Sequence, residues 1–192
     1  MAATNSRQDS SKSSTSSLIA LAQTITKETE TLNSYLKSIN APPLSFDASS
    51  PSTLPKLSPS AKKAREEIIR ATKELGDLVL GPSDSIRWMA FDQNNLLPLH
   101  AIYKYKIAQN VPVGGQIGYG ELSEKTGLDE VNLRRFLRHA MTNRIFREVV
   151  LEGGEKGVEH TATSRVLAED GKMNDWVGLC CEDIWPVSSF SI

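Results

Sequence analysis

GELSEKTGLDEVNLRRFLRHAMTNRIFREVVLEGGEKGVEHT, residues 120–161, decides the fold. Its first eight residues predict a short helix closed by Gly127, because glycine enters the left-handed turn at a helix end without a Cβ penalty. Asp129 stands where an N-cap is needed, and Leu133, Phe136, Leu137 and Ala140 follow at helical spacing. Two helices joined by a tight glycine turn make a helix-turn-helix. The next stretch, IFREVVLEGGEKGVEHT, alternates on both sides of EGGEKG and predicts a β-hairpin with a glycine-rich loop. The expected class is therefore mainly α, a winged helix-turn-helix with a small β-hairpin wing, plus two leading helices.

Working upstream, VPVGGQIGY (111–119) reads as a loop, LLPLHAIYKYKIA (96–108) as an apolar helix with Pro98 near its start, and DSIRWMAF (84–91) as a short one. A longer helix is expected from Ser58-Pro59, an N-cap and first-turn pair, with Ala64, Ile68, Ala71, Leu75, Leu78 and Val79 on one stripe and Gly81-Pro82 as its stop. Residues 41–58 carry four prolines, 42, 43, 51 and 55, with Pro59 just beyond, which makes this stretch a linker. Over 17–40, Leu18, Ile25, Leu32 and Ile39 recur every seven residues, the mark of an amphipathic helix capped by Ser17. Residues 1–16 are Ser-rich without a large apolar side chain after Met1, and are expected to be disordered. Downstream, TSRVLAED and NDWVGLCCEDIW predict two helical segments separated by Gly171.

Composition limits the function. The 192 residues suffice for one ordinary domain with tails and not for two full-sized enzyme domains. Lys and Arg number 22 against 23 Asp and Glu, a formal charge of -1, so there is no global attraction to nucleic acid or anionic lipid. No 18-residue apolar run is present, which excludes a membrane-spanning helix. Cys180 and Cys181 are adjacent and cannot staple distant segments, and the N-terminus lacks a secretory signal, so a cytoplasmic location is expected.

A winged helix invites a DNA-binding reading, and Arg134, Arg135, Arg138 and His139 face away from the apolar side of their helix. Against it, Glu148, Glu152, Glu155 and Glu159 outnumber Arg147 and Lys156 in the wing, where phosphate binding calls for cations. No nucleic-acid partner is expected. His100, His139 and His160 have no cysteine or carboxylate at ligand spacing, so no metal site is predicted. The glycine pairs at 114–115 and 153–154 do not sit between a strand and a helix, and no catalytic constellation is found.

Three stretches carry a more specific signal: IRWMAFDQNNLLPLHAIYKYKIAQNVP, GYGELSEKTGLDEVNLRRFLRHAMTNRIFRE, and VEHTATSRVLAEDGKMNDWVGLCCEDIWP. In that order they resemble the N-terminal region of fungal O-methyltransferases of the plant caffeate type, in particular the sterigmatocystin-type enzymes of polyketide pathways. The resemblance implies that residues 59–186 are a winged-helix dimerisation domain that helps wall the substrate pocket of a secondary-metabolism enzyme. In the whole family a Rossmann-like S-adenosylmethionine domain follows. It implies a homodimer, or a heterodimer with a related methyltransferase, and a helix from Asn174 to Trp185 that lines substrate through Trp176 and Cys180. No cofactor-binding or catalytic residue carries over, so this stretch is expected to be catalytically incomplete by itself. A winged-helix regulator and an interaction module for a full-length methyltransferase are the alternatives. After Pro186 the match stops, and VSSFSI (187–192) is a non-matching tail. The codons for Val187-Ser188 are compatible with the start of a fungal intron, so the expectation is either translated intron or a mis-assigned exon end, with truncation as the competing account.

Overall fold

A computed structural model describes residues 14–189, so residues 1–13 of the Ser-rich stretch and 190–192 of the tail lie outside the described residues. The fold is mainly helical with one small three-stranded antiparallel sheet. The chain divides into two compact units, residues 1–41 with 55–89, and residues 42–54 with 90–192.

The first unit holds α1 (Ser14–Ser38) and most of α2 (Pro59–Phe91). Leu21 and Leu36 on α1 and Ala61, Ala64 and Ala71 on α2 are buried, small residues allowing close helix approach. Of the seven-residue stripe, Ile25 and Leu32 are half-buried while Leu18 and Ile39 stay exposed. The helix that starts at Pro59 stops at Gly81-Pro82, as expected, and the rest of α2 is a second, shorter helix. Gly81 leaves helical geometry at φ 78, ψ 163, and the chain then turns helical again from Pro82 onward. Proline fits there because a first-turn residue has no intrahelical N–H bond to lose.

In the second unit, a 3-10 turn (Asp92–Asn95) leads into α3 (Leu96–Lys104) and α4 (Ile107–Asn110). The single helix expected over 96–108 is broken at Lys106, which adopts a left-handed conformation, φ 50. On a continuous helix Ile102 and Ile107 would point about 140° apart. The break turns both into the same core, together with Ala108. Then come β1 (Gln116–Gly118), α5 (Tyr119–Thr126), α6 (Glu130–Thr142), β2 (Arg147–Val150) and β3 (Lys156–Glu159). Gly127 closes α5 at φ 68, and Asp129 caps α6 by accepting the Asn132 N–H.

Strands β2 and β3 form the expected hairpin, with Arg147 opposite Glu159 and Val150 opposite Lys156. The stretch 111–119 was expected to be a loop, yet its residues 116–118 form a third strand. It pairs antiparallel with β3, Ile117 opposite Val158, giving the order β1-β3-β2. Three residues carry too little alternation to announce a strand, and the partner lies some forty positions away.

After the sheet come α7 (Ala162–Glu169) and α8 (Gly171–Gly178). Gly171 opens α8 instead of separating two helices, because the Asp170 carboxylate accepts the N–H groups of Lys172 and Met173. A π-helical segment (Leu179–Ile184) continues into α9 (Trp185–Ser189). The core is built from Ile102, Ile107, Tyr119, Leu133, Leu137, Phe146 and Val158.

At the start of α7, Thr161 and Ser164 form a capping box, and the buried His160 is tied into it. His160 Nε2–H donates to the Val111 carbonyl at 3.0 Å, and its Nδ1 lies 3.0 Å from the Ser164 hydroxyl, which donates to it. Burial holds this imidazole below its ordinary pKa of 6.5, against the opposing pull of the Val111 carbonyl. The neutral ring is thus the folded form, and its stabilisation is complete above pH 6.5 and declines as pH falls below it. Urea midpoints are expected to drop between pH 7.5 and 5.5, with a shallower drop in His160→Gln. Equal midpoints for the wild type at both pH values would contradict this.

Candidate functional site

Two surfaces of the second unit qualify for function: the basic side of α6 and the ridge from α8 to α9. On α6, Arg134 pairs with Glu130 one turn earlier at 2.7 Å and lies 4.4 Å from the centre of the Tyr119 ring. Arg138 reaches across to the wing, its Nε donating to Glu148 at 3.2 Å. Glu148 also accepts from Lys156 Nζ at 2.6 Å and from the Tyr119 hydroxyl at 3.1 Å. The Lys156 hydrogen bond, with those from Tyr119 and Arg138, holds the Glu148 carboxyl down at about 2. Burial, with this carboxylate alongside, pushes the Tyr119 phenol up to about 12. In the wing itself Arg147 bonds to Glu159 through Nε at 2.6 Å and to Asp47 at 3.2 Å. Of the wing acids, Glu148 is thus the partner of the helix residue Arg138, and Glu159 that of Arg147 within the wing. Arg134 and Arg138 are engaged inside the fold, and each would have to leave a carboxylate to meet a phosphate.

The ridge is different in kind. Val177, Gly178 and Cys181 turn inward, and Met173, Trp176, Leu179, Ile184 and Val187 are exposed, Trp176 at 58 %. A run of large apolar side chains on one ridge is a surface suited to contact with something other than water. Gly178 permits the ridge to approach α3, since a Cβ there would lie 2.4 Å from Tyr103 Cζ. His100 Nε2 on α3 meets Glu182 Oε1 at 3.4 Å. The π-helical turn inserts an extra residue just where the two cysteines lie, a feature that recurs at functional sites. Cys180 is half-buried, while Cys181 is buried and its thiol is pushed up by that burial, so Cys181 is not an activated thiolate. Trp176 and Cys180 thus lie one turn apart on this element, at different depths. Sequence reasoning did not single out Met173, Leu179 or Ile184; Met173 and Leu179 fall three residues on either side of Trp176, a helical spacing that could have found them, while Ile184 lies at the far end of the π-turn.

Among the described residues no group of three or more His, Cys, Asp or Glu is placed to hold a metal ion, and no helix is long and apolar enough to cross a membrane. Gly153 and Gly154, at φ 100 and 84, form the tip of the β2–β3 hairpin. Gly114-Gly115 turn the chain ahead of β1, with Gly115 N–H donating to the Pro112 carbonyl.

No family profile matches the chain. It is 40 % identical over 178 residues to a chlorophenol O-methyltransferase of Trichoderma longibrachiatum, a match that covers 92 % of this chain and 37 % of that protein. It is 38 % identical over 171 residues to the O-methyltransferase pyvH of Aspergillus violaceofuscus, covering 89 % of this chain and 38 % of that one. The chain is a fungal O-methyltransferase relative. It spans less than two fifths of the length of these relatives. Among solved structures, OxaC overlays with a TM-score of 0.50 at 18 % identity, over 78 % of this chain and 33 % of OxaC, a likeness of fold. Other crystals of OxaC contain sinefungin with meleagrin, and SAH with oxaline.

The O-methyltransferase relationship implies S-adenosylmethionine, and the glycine positions above test it. A dinucleotide or nucleoside cradle sets glycines between a strand and the N-terminus of a helix. Here Gly153-Gly154 cap an antiparallel hairpin and Gly114-Gly115 precede β1, so neither glycine pair forms such a cradle.

Proposed function

We propose that these residues form the winged-helix region of an S-adenosylmethionine-dependent O-methyltransferase of secondary metabolism, a cytoplasmic protein. In this role they dimerise, with a second copy or with a related methyltransferase, and they wall the substrate pocket. They do not transfer methyl groups by themselves. The observation that carries the proposal is the 40 % identity over 92 % of the chain, confined to 37 % of the relative. The helix-turn-helix of α5 and α6 with the β2–β3 wing supports the winged-helix assignment, since β1 completes a sheet beside the two helices. The exposed ridge supports the substrate-wall role: Trp176 on α8 and Cys180 on the π-helical segment belong to the stretch where Met173, Leu179 and Ile184 are exposed. A DNA-binding regulator is disfavoured by the Glu130 and Glu148 pairing of Arg134 and Arg138.

The test is a chimera in which this chain replaces the matching segment of the Trichoderma relative. Methyl transfer to a chlorophenol and a dimer in sedimentation are the expected results. Calorimetry on the 192-residue chain alone is expected to show no saturable heat with S-adenosylhomocysteine. Micromolar binding by the isolated chain, or an inactive monomeric chimera that folds, would overturn the assignment.

A further inference from the structure

We propose that the cleft between α3 and the outer face of α6 binds a small aryl carboxylate, with Arg135 as its counter-charge. The cleft lies wholly within the second unit and encloses about 420 Å³, inside the range of roughly 300 to 1,000 Å³ typical of small-ligand sites. Its apolar walls are Phe91 at the end of α2, Leu97 and Pro98 on α3, and Phe136 on α6. Arg135, His139 and the amide of Asn132 supply polar groups, and none of the lining residues is a carboxylate.

Arg135 is what singles this cleft out. Three nearby arginines have acidic partners, Glu130 for Arg134, Glu148 for Arg138, and Glu159 and Asp47 for Arg147, and Arg144 lies 4.6 Å from the centre of the Phe46 ring. Arg135 has no ion-pair partner among the described residues, and it lines the cleft. A guanidinium offers two parallel N–H donors matched to the two oxygens of a carboxylate. Flat aromatic walls favour a ring, and the single uncompensated cation is too little for the multiple phosphates of duplex DNA.

The polar side of the cleft is also held in place. Asn95 Oδ1 accepts Asn143 Nδ2–H at 2.9 Å and His139 Nε2–H at 3.0 Å. His139 Nε2 is thereby fixed as a donor to Asn95, which sets the orientation of the ring at the cleft. A positively charged wall with fixed neighbours and two phenyl faces recognises charge and planarity together.

The full chain titrated with 4-fluorobenzoate, followed by ¹⁹F NMR, should show saturable binding. Arg135→Gln should weaken it at least about tenfold, and Arg135→Lys less, because only the fork of donors is lost there. The neutral isostere 4-fluorobenzamide should bind at least about tenfold more weakly than the acid, and acetate should compete poorly. Arg135 is exposed and unpaired within the fold, so thermal melts of both variants should match the wild type. Absence of saturation, equal binding by Arg135→Gln, equal binding of the amide, or acetate competing as well as benzoate would each overturn the proposal.

Discussion

Phe146→Ala is expected to destabilise the chain by about 3–5 kcal/mol, the range for removing a fully buried aromatic side chain. Phe146 is 2 % exposed and stacks on the buried His160 with ring centres 5.3 Å apart. It also sits at φ 65, an uncommon conformation for a non-glycine residue, just before β2 begins. Alanine keeps that backbone strain and loses the contacts that offset it. In a domain of this size the midpoint of thermal unfolding should fall by more than about 10 °C. Val150→Ala, at an exposed position of the same strand, should change stability by about 0.5 kcal/mol or less. A Phe146→Ala midpoint within a few degrees of wild type would show that the ring is not a core element.

The second large effect is expected at Gly157, in the central strand β3. A Cβ there would stand 2.7 Å from the Ile117 carbonyl oxygen and 2.9 Å from Leu151 Cδ2. The leucine can rotate away, but the carbonyl belongs to the paired strand β1, so the two strands must part. Gly157→Ala should cost about 1–3 kcal/mol, as overpacking does, concentrated on one edge of the sheet. Hydrogen exchange should therefore accelerate in the β1–β3 ladder more than in β2–β3. Adding Leu151→Ala should recover part of the loss and not the carbonyl contribution. Gly171→Ala, with nothing within 4 Å and no positive φ, is the control and should be near neutral. Equal stability of Gly157→Ala and Gly171→Ala would refute the account.

These two positions also mark the boundary of what the sequence makes legible. The α5–turn–α6 pair and the hairpin follow from local rules, a glycine with φ 68 after α5, an Asp129 cap and two glycines at the hairpin tip. Gly157 is another matter: it reads as an ordinary strand glycine until β1 is placed beside it, and β1 is specified only by pairing with residues 157–159. Phe146 and Lys106 adopt left-handed conformations that no propensity suggests, because burial of their neighbours, not local preference, selects them. The basic face of α6 is visible as charge, and Glu130 four positions before Arg134 is a helix pair readable from spacing, whereas the reach of Arg138 to Glu148 depends on how the wing folds back. On the ridge, Trp176 and Cys180 entered through family resemblance, whereas the π-turn that sets their relative phase leaves no trace in helical periodicity.

The proline-rich segment 42–54 is not a free linker within the second unit. The Phe46 carbonyl accepts the Ala162 N–H at 2.9 Å, its ring lies 4.6 Å from the Arg144 guanidinium, and the Ser50 carbonyl accepts from Arg165 at 2.7 Å. Ser50 and Arg165 are 115 positions apart. At a synthesis rate of about 5–20 residues per second, Ser50 leaves the ribosome on the order of ten seconds before its partner exists. Through that interval prolines 42, 43, 51 and 55 deny the segment the N–H groups with which it would pair with another strand. Its composition thus protects a nascent chain during a wait that its own topology imposes.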